Sequence, residues 1–235
     1  MSLSRSIRLA LRDNDFLRTW VRPPIAWLLL KVLKRKQRLL QKYGLCAVRV
    51  VHKVAQSVGM SYYADGGTLL GFIRDDGFIP HDIDMDFSLM PDNGKIDLFY
   101  RELKAHGLSF ERFVLFDGRL KEFTMSYNEV GIDFFQRYYS SNKDSFLTVA
   151  TKKDDFWPVF ARPVPKGFKV IPIRGCQVVI PVNYDEILTS LYGDWRTPVV
   201  KWEDTMAPKY DKDYGAHVVV QSRDEDVWKK FLAEG

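Results

Sequence analysis

Over residues 83–89 the chain alternates without a break, with Ile83, Met85, Phe87 and Leu89 on one side and Asp84, Asp86 and Ser88 on the other. Successive side chains of a strand point to opposite faces, so a period of two dictates a β-strand with one apolar face buried. Asp82 continues the series backwards, and three acids at alternate positions are expected to project from one face. Like charges a few ångströms apart repel unless a cation sits among them or protons are taken up. Hard carboxylate oxygens suit Mg²⁺ or Mn²⁺, ions that also clamp the oxygens of phosphates. An edge strand with a solvated acidic face is the plainer account of the same pattern, because short motifs recur by accident.

The surroundings narrow that choice. Residues 60–64 read as a short strand, followed by Asp65-Gly66-Gly67-Thr68 and a brief helical pattern through Leu69, Leu70, Phe72 and Ile73. A Gly-Gly-Thr turn opening a helix lets backbone N–H groups approach a phosphate, and the helix start favours negative charge. A further acid is wanted on a neighbouring strand. Residues 130–135 supply Asp133, isolated among apolar neighbours, where a bare carboxylate is costly to bury; its alternative is a strand end facing water. Arg74, one turn past the glycines, is placed to reach a phosphate oxygen, to pair with one of the acids, or to stand as an ordinary surface arginine. His81 is a lone histidine, either a proton shuttle near neutral pH or structural. The layout is that of a nucleotidyltransferase-type site, and no P-loop is present.

Elsewhere the pattern predicts an amphipathic helix over residues 39–58 stopped by Gly59, a second helix through Ile96, Leu98, Phe99 and Leu103 to near Gly107, and strands over residues 108–116, 120–127 and 130–139. Asp117-Gly118 joins the first two of these strands as a hairpin. Residues 151–167, rich in Pro and aromatics, read as irregular. Strands over 170–173 and 177–182 precede a helix that Asn183 caps with Glu186 and Gly193 closes. The expected class is α+β, a nucleotidyltransferase-like mixed sheet flanked by helices, with a basic helical arm at residues 1–38 and a catalytic domain at 39–235.

Charge separates these two parts. Residues 1–42 hold eleven Lys or Arg against Asp13 and Asp15, whereas the remainder carries 24 basic and 28 acidic residues. A mildly acidic body argues against a nucleic-acid groove, which needs clustered cations facing phosphates. Between residues 18 and 38, Trp20, Trp27 and a run of leucines mix with Lys and Arg, which fits either an interfacial helix on anionic lipid or a helix docked on the body. No apolar run reaches the roughly 20 residues of a spanning helix, and the N-terminus lacks the form of a signal peptide. Cys46 and Cys176 lie far apart in no metal-like spacing, so a reducing cytoplasm is the expected location, with peripheral contact at the inner membrane face. The oligomeric state is not legible.

The run Tyr63-Ala64-Asp65-Gly66-Gly67-Thr68-Leu69-Leu70-Gly71-Phe72-Ile73-Arg74, continuing through Gly77-Phe78-Ile79-Pro80-His81-Asp82-Ile83-Asp84-Met85-Asp86, resembles the LicD and fukutin family. Gly131-Ile132-Asp133 and the segment from Ile180-Pro181 to Tyr192-Gly193-Asp194-Trp195 add weaker likeness. The resemblance implies a nucleotidyltransferase-like fold and the transfer of a phospho-alcohol (phosphocholine, ribitol phosphate or glycerol phosphate) from a CDP-activated donor to a cell-surface glycan or lipid-linked glycan, with CMP released. It further implies metal-binding acids at Asp82, Asp84 and Asp86, a third-strand acid at Asp133 and the glycine turn at Gly66 and Gly67. Two departures stand out: His81 occupies a place where the family usually has Trp, and Ile83 one where many bacterial members have Asp. Rival readings are transfer of a nucleotide from an NTP, and a non-catalytic nucleotide-binding or membrane-docking protein.

Overall fold

The computed structural model describes residues 23–91, 94–199 and 206–234. Its first element, α1 (Pro23–Val58), is a single 36-residue helix. Pro23 and Pro24 stand in its first turn, where a missing N–H removes no helical hydrogen bond. The helix therefore starts well before residue 39 and passes through residue 38 without interruption. Gly59 ends it with φ of +67°, the left-handed conformation that glycine adopts at least cost. One face of its second half, through Leu40, Ala47, Val51 and Val54, is fully buried. No helix among the described residues is long and apolar enough to cross a membrane.

The chain then lays down β1 (Tyr62–Ala64), α2 (Gly66–Arg74), β2 (Asp84–Leu89), α3 (Ile96–Ala105), β3 (Ser109–Phe116), β4 (Arg119–Tyr127) and β5 (Val130–Gln136). With the late strand β11 (Val219–Ser222) these form a six-stranded mixed sheet in the order β1-β2-β5-β4-β3-β11. The pair β2–β5 is parallel and every other neighbour antiparallel. Asp117 and Gly118, at φ of +50° and +75°, make the tight β3–β4 turn that an Asp-Gly pair dictates. The apolar faces of β2, β4 and β5 bring Phe87, Phe123 and Phe134 together, and Phe99 of α3 and Trp228 of α5 (Glu225–Glu234) close over them. Each fully buried aromatic of this kind contributes about 1.5–3 kcal/mol.

The remaining strands are β6 (Ser145–Val149), β7 (Trp157–Pro163) and β10 (Tyr210–Asp213), in the order β10-β7-β6, and the hairpin of β8 (Phe168–Ile173) with β9 (Cys176–Pro181), which packs on α1 and β1. The strand β7 corrects the expectation of irregular chain over residues 151–167. Pro158 and Pro163 lie near the two ends of β7, where the ladder tolerates a missing donor, and β7 pairs with β6 just before it and with the distant β10. Helix α4 (Tyr184–Tyr192) follows Asn183 and is closed by Gly193 as expected, but no capping box forms. The Asn183 carbonyl oxygen accepts from the Lys166 amide and its NH₂ donates to Val164 and Glu186, so the side chain ties down the preceding loop instead.

Candidate active site

The carboxylates of β2 meet the rest of the site through strand register. Because β2 and β5 are parallel, Asp84 lies beside Gly131 and Asp86 beside Asp133. On the far side of β5, Thr124 of β4 stands opposite Asp133 and its hydroxyl donates to Asp133 Oδ1. Met85 and Phe87 point the other way, into the core. Asp82 departs from expectation in one respect: it lies outside β2, two residues before the strand starts.

The glycine turn explains itself once these acids are in place. Gly66 has φ of +55°, and a Cβ there would lie 2.7 Å from Asp86 Oδ2. A Cβ on Gly67 would lie 2.7 Å from Asp82 Oδ2. Both glycines are thus bare because carboxylates occupy the space a side chain would fill. The Thr68 hydroxyl accepts the Asp86 amide at 2.8 Å, pinning the helix start to β2. Thr68 is buried, and of the eight residues singled out from the sequence it alone does not line the cleft; Gly66, Gly67, Arg74, Asp82, Asp84, Asp86 and Asp133 all do.

That cleft, about 1350 Å³, opens between the main sheet and the β10-β7-β6 sheet. Besides the acids it is lined by Arg112, Arg119, Lys121, Arg137, Lys152 and Arg162, with Tyr138, Tyr192 and Trp195 among the aromatic lining. Burial pushes the Asp86 carboxyl well above the usual carboxylate range, and Asp84, Asp133, Asp82 and Asp65 add to it. Asp133 is pushed up to about 7, by burial and then by Glu122, although Arg112 and Thr124 hold it back. Arg112 Nη2 donates to Asp133 Oδ1 at 3.2 Å while Nη1 binds Glu122. These groups form a buried set on β3, β4 and β5.

The structure makes Asp65 the anchor of the glycine turn, a role that sequence reasoning missed. It caps α2 by accepting the Gly66 amide at 2.8 Å, and it accepts from Ser88, Arg137 and Arg162. Burial alone raises its carboxyl, but Arg162, Arg137, Ser88 and the Gly66 amide outweigh that and hold it below the usual range. A capping Asp before a helix is readable from sequence; the arginines, 72 and 97 residues away, are not. Arg74 forks onto Asp75 at 2.9 Å twice, with Asp82 a more distant attraction. His81 is exposed at the cleft edge, and its carbonyl accepts from Gln37.

Among the described residues no three His, Cys, Asp or Glu side chains close into a complete metal-ligand set. The donor chemistry fits Mg²⁺ nevertheless, since this ion usually takes one or two carboxylates and fills its octahedron with water and phosphate oxygens. A cleft lined by both carboxylates and arginines is suited to a metal–phosphate ligand, whose negative oxygens can meet two sources of positive charge.

A family model described as LicD/FKTN/FKRP, nucleotidyltransferase domain, matches residues 59–183, just over half of the chain. The matched span runs from the end of α1 to Asn183 and takes in the glycine turn and all four acids. No curated protein matches the chain.

Proposed function

The chain belongs to the LicD/FKTN/FKRP family, and from that premise we propose that it moves a phospho-alcohol from a CDP-activated donor to a hydroxyl of a glycan or lipid-linked glycan. The family supports a phosphotransferase-like function in general. The observation that carries the finer reading is the register pairing of Asp86 with Asp133 beside the glycine turn, in a cleft that arginines also line.

In this reading the acceptor oxygen attacks the donor β-phosphorus in line, the bond from that phosphorus to the CMP oxygen breaks, and CMP leaves. Asp84 and Asp86, with Asp82 beside them, would hold Mg²⁺ or Mn²⁺, which neutralises charge on the phosphoryl oxygens and leaving group. Asp133 would take the proton of the attacking hydroxyl: a carboxyl titrating at about 7 is matched to proton transfer near neutral pH. Arg112 and Thr124 both grip Oδ1 of Asp133, which orients Oδ2 for that role. Arg137 and Arg162 contribute positive charge to the phosphate end of the cleft.

The test is incubation with Mg²⁺ and CDP-choline, CDP-ribitol, CDP-glycerol or CTP, with chromatography of the nucleotide products. CMP release from one CDP-alcohol is the expected result. Pyrophosphate release from CTP would replace the proposal with nucleotidyl transfer, and binding of Mn²⁺ and donor with no product would replace it with a non-catalytic role.

A further inference from the structure

The helix α1 holds eight Lys or Arg and no acid. Along it Trp27, Lys31, Lys34, Arg38 and Lys42 follow one another at steps of four, three, four and four, which places them in one line on a helix. All five are exposed, and Leu28 and Leu30 flank the line, also exposed, at 56% and 53% of their surface. The Lys31 ammonium lies 3.5 Å from the centre of the Trp27 ring. The opposite side of α1 is covered, since Leu40, Gly44, Ala47 and Val51 are buried on the body. The first half is also tied down by side-chain bonds: Arg35 forks onto Glu129, Gln37 donates to the His81 carbonyl and Gln41 to that of Phe78.

We propose that this outward face of α1, from Trp27 to Lys42, docks on an anionic lipid surface. Exposed Trp and Leu at one end and an unbroken row of cations along the rest are what a lipid interface takes up: apolar side chains enter the acyl boundary while ammonium and guanidinium groups meet the headgroups. An acidic partner protein would account for the cations but not for a bare Trp and two leucines beside them. The helix lies in the plane of the interface, being too polar to cross it. An open groove of about 690 Å³ between Lys34, Arg38, Lys42 and Pro80 continues the cationic row toward the body. Pro80 is followed by His81 and Asp82 at the edge of the catalytic cleft, so the docked helix brings that edge close to the headgroups.

Sedimentation of the full chain with sucrose-loaded vesicles tests this. The wild-type protein is expected to pellet with phosphatidylcholine vesicles containing phosphatidylglycerol and to stay in solution with phosphatidylcholine alone. Raising salt from about 0.1 M to about 1 M should release it, because the screening length falls to about 3 Å. The triple variant Lys34→Glu, Arg38→Glu, Lys42→Glu should lower partitioning by about 100-fold, and Trp27→Ala with Leu30→Ala should lower it further, both with unchanged melting temperature. Equal binding to neutral vesicles, no binding to anionic ones, or variants that bind like wild type would overturn the proposal. Analytical ultracentrifugation in which the same substitutions dissociate a dimer would assign the face to a second copy of the chain and overturn it as well.

Discussion

Asp86 on β2 and Asp133 on β5 are direct neighbours across the parallel strand pair of the main sheet. Neither strand could hold both acids, and the pairing exists only because the chain passes through α3, β3 and β4 before returning beside β2. The carboxylate cluster is therefore a property of the sheet order rather than of the Asp-x-Asp-x-Asp run alone.

Replacing Asp86 with Asn removes one charge and keeps the shape. Turnover of the CDP-alcohol donor is expected to fall at least about 100-fold, the scale on which losing a preorganised electrostatic contact acts. The metal-free protein should melt higher than wild type, because a buried charge is removed and with it the repulsion from Asp84, Asp133 and Asp82, which outweighs the loss of any bond. Calorimetry in EDTA checks the second outcome independently of the first, and a lower melting temperature would sink the account of Asp86.

The stability of the metal-free protein should depend on pH in a definite direction. Asp86 and Asp133 have folded-state values raised above the unfolded value of about 3.9. Such groups favour folding fully below that unfolded value, and the benefit is lost as pH rises through the folded one. For Asp133 the loss runs from about 3.9 upward and is complete near 7. Thermal melts in EDTA should thus fall from pH 5 to pH 8, and added Mg²⁺ should recover most of the loss at pH 8 by binding only the folded form. A melting temperature that ignores Mg²⁺ at pH 8 would count against the metal assignment.

At the glycine turn, Gly66→Ala and Gly67→Ala should behave differently. Gly66 sits at φ of +55°, so alanine there carries backbone strain of about 1–2 kcal/mol as well as the contact with Asp86. At Gly67 the obstacle is the Asp82 carboxylate alone. Adding Asp82→Ala should restore stability to Gly67→Ala and leave Gly66→Ala unrelieved, a non-additivity that denaturant titration of the double mutants reads directly.

The Asp65 cluster predicts acid sensitivity of the opposite sign. Its carboxyl is depressed in the folded state, so its contribution is present above about 3.9 and is lost as pH falls below that value. Arg137→Met leaves Asp65 with Arg162 but removes a buried partner, and about 3 kcal/mol of stability should go with it. Asp65→Asn with Arg137→Met should recover part of that loss. Urea titration of Arg137→Met, Asp65→Asn and the double variant at pH 7 checks this, and additive losses would refute the coupling.

What could be read in advance was whatever neighbours in sequence decide. Alternation over residues 83–89 is a local pattern and became β2; Asp117-Gly118 became the turn its backbone preferences require; the Gly66-Gly67 pair, read as a turn before a helix, opens α2 itself. What was not legible there is that Asp86 and Asp82, from a later segment, border the missing side-chain space. The strand β7 went unseen because two prolines contradict a strand locally, and only pairing with Phe146–Val149 and Tyr210–Asp213 makes it one.

The sequence by itself determined which residues are acidic, which face of β2 they share and where the chain can turn, since these depend on bond geometry within a few residues. Only the tertiary structure decided which acids meet, that Arg112 grips Asp133, and that Arg137 and Arg162 converge on Asp65. A charge is stabilised or raised in energy by whatever lies within a few ångströms, and distance along the chain does not specify that.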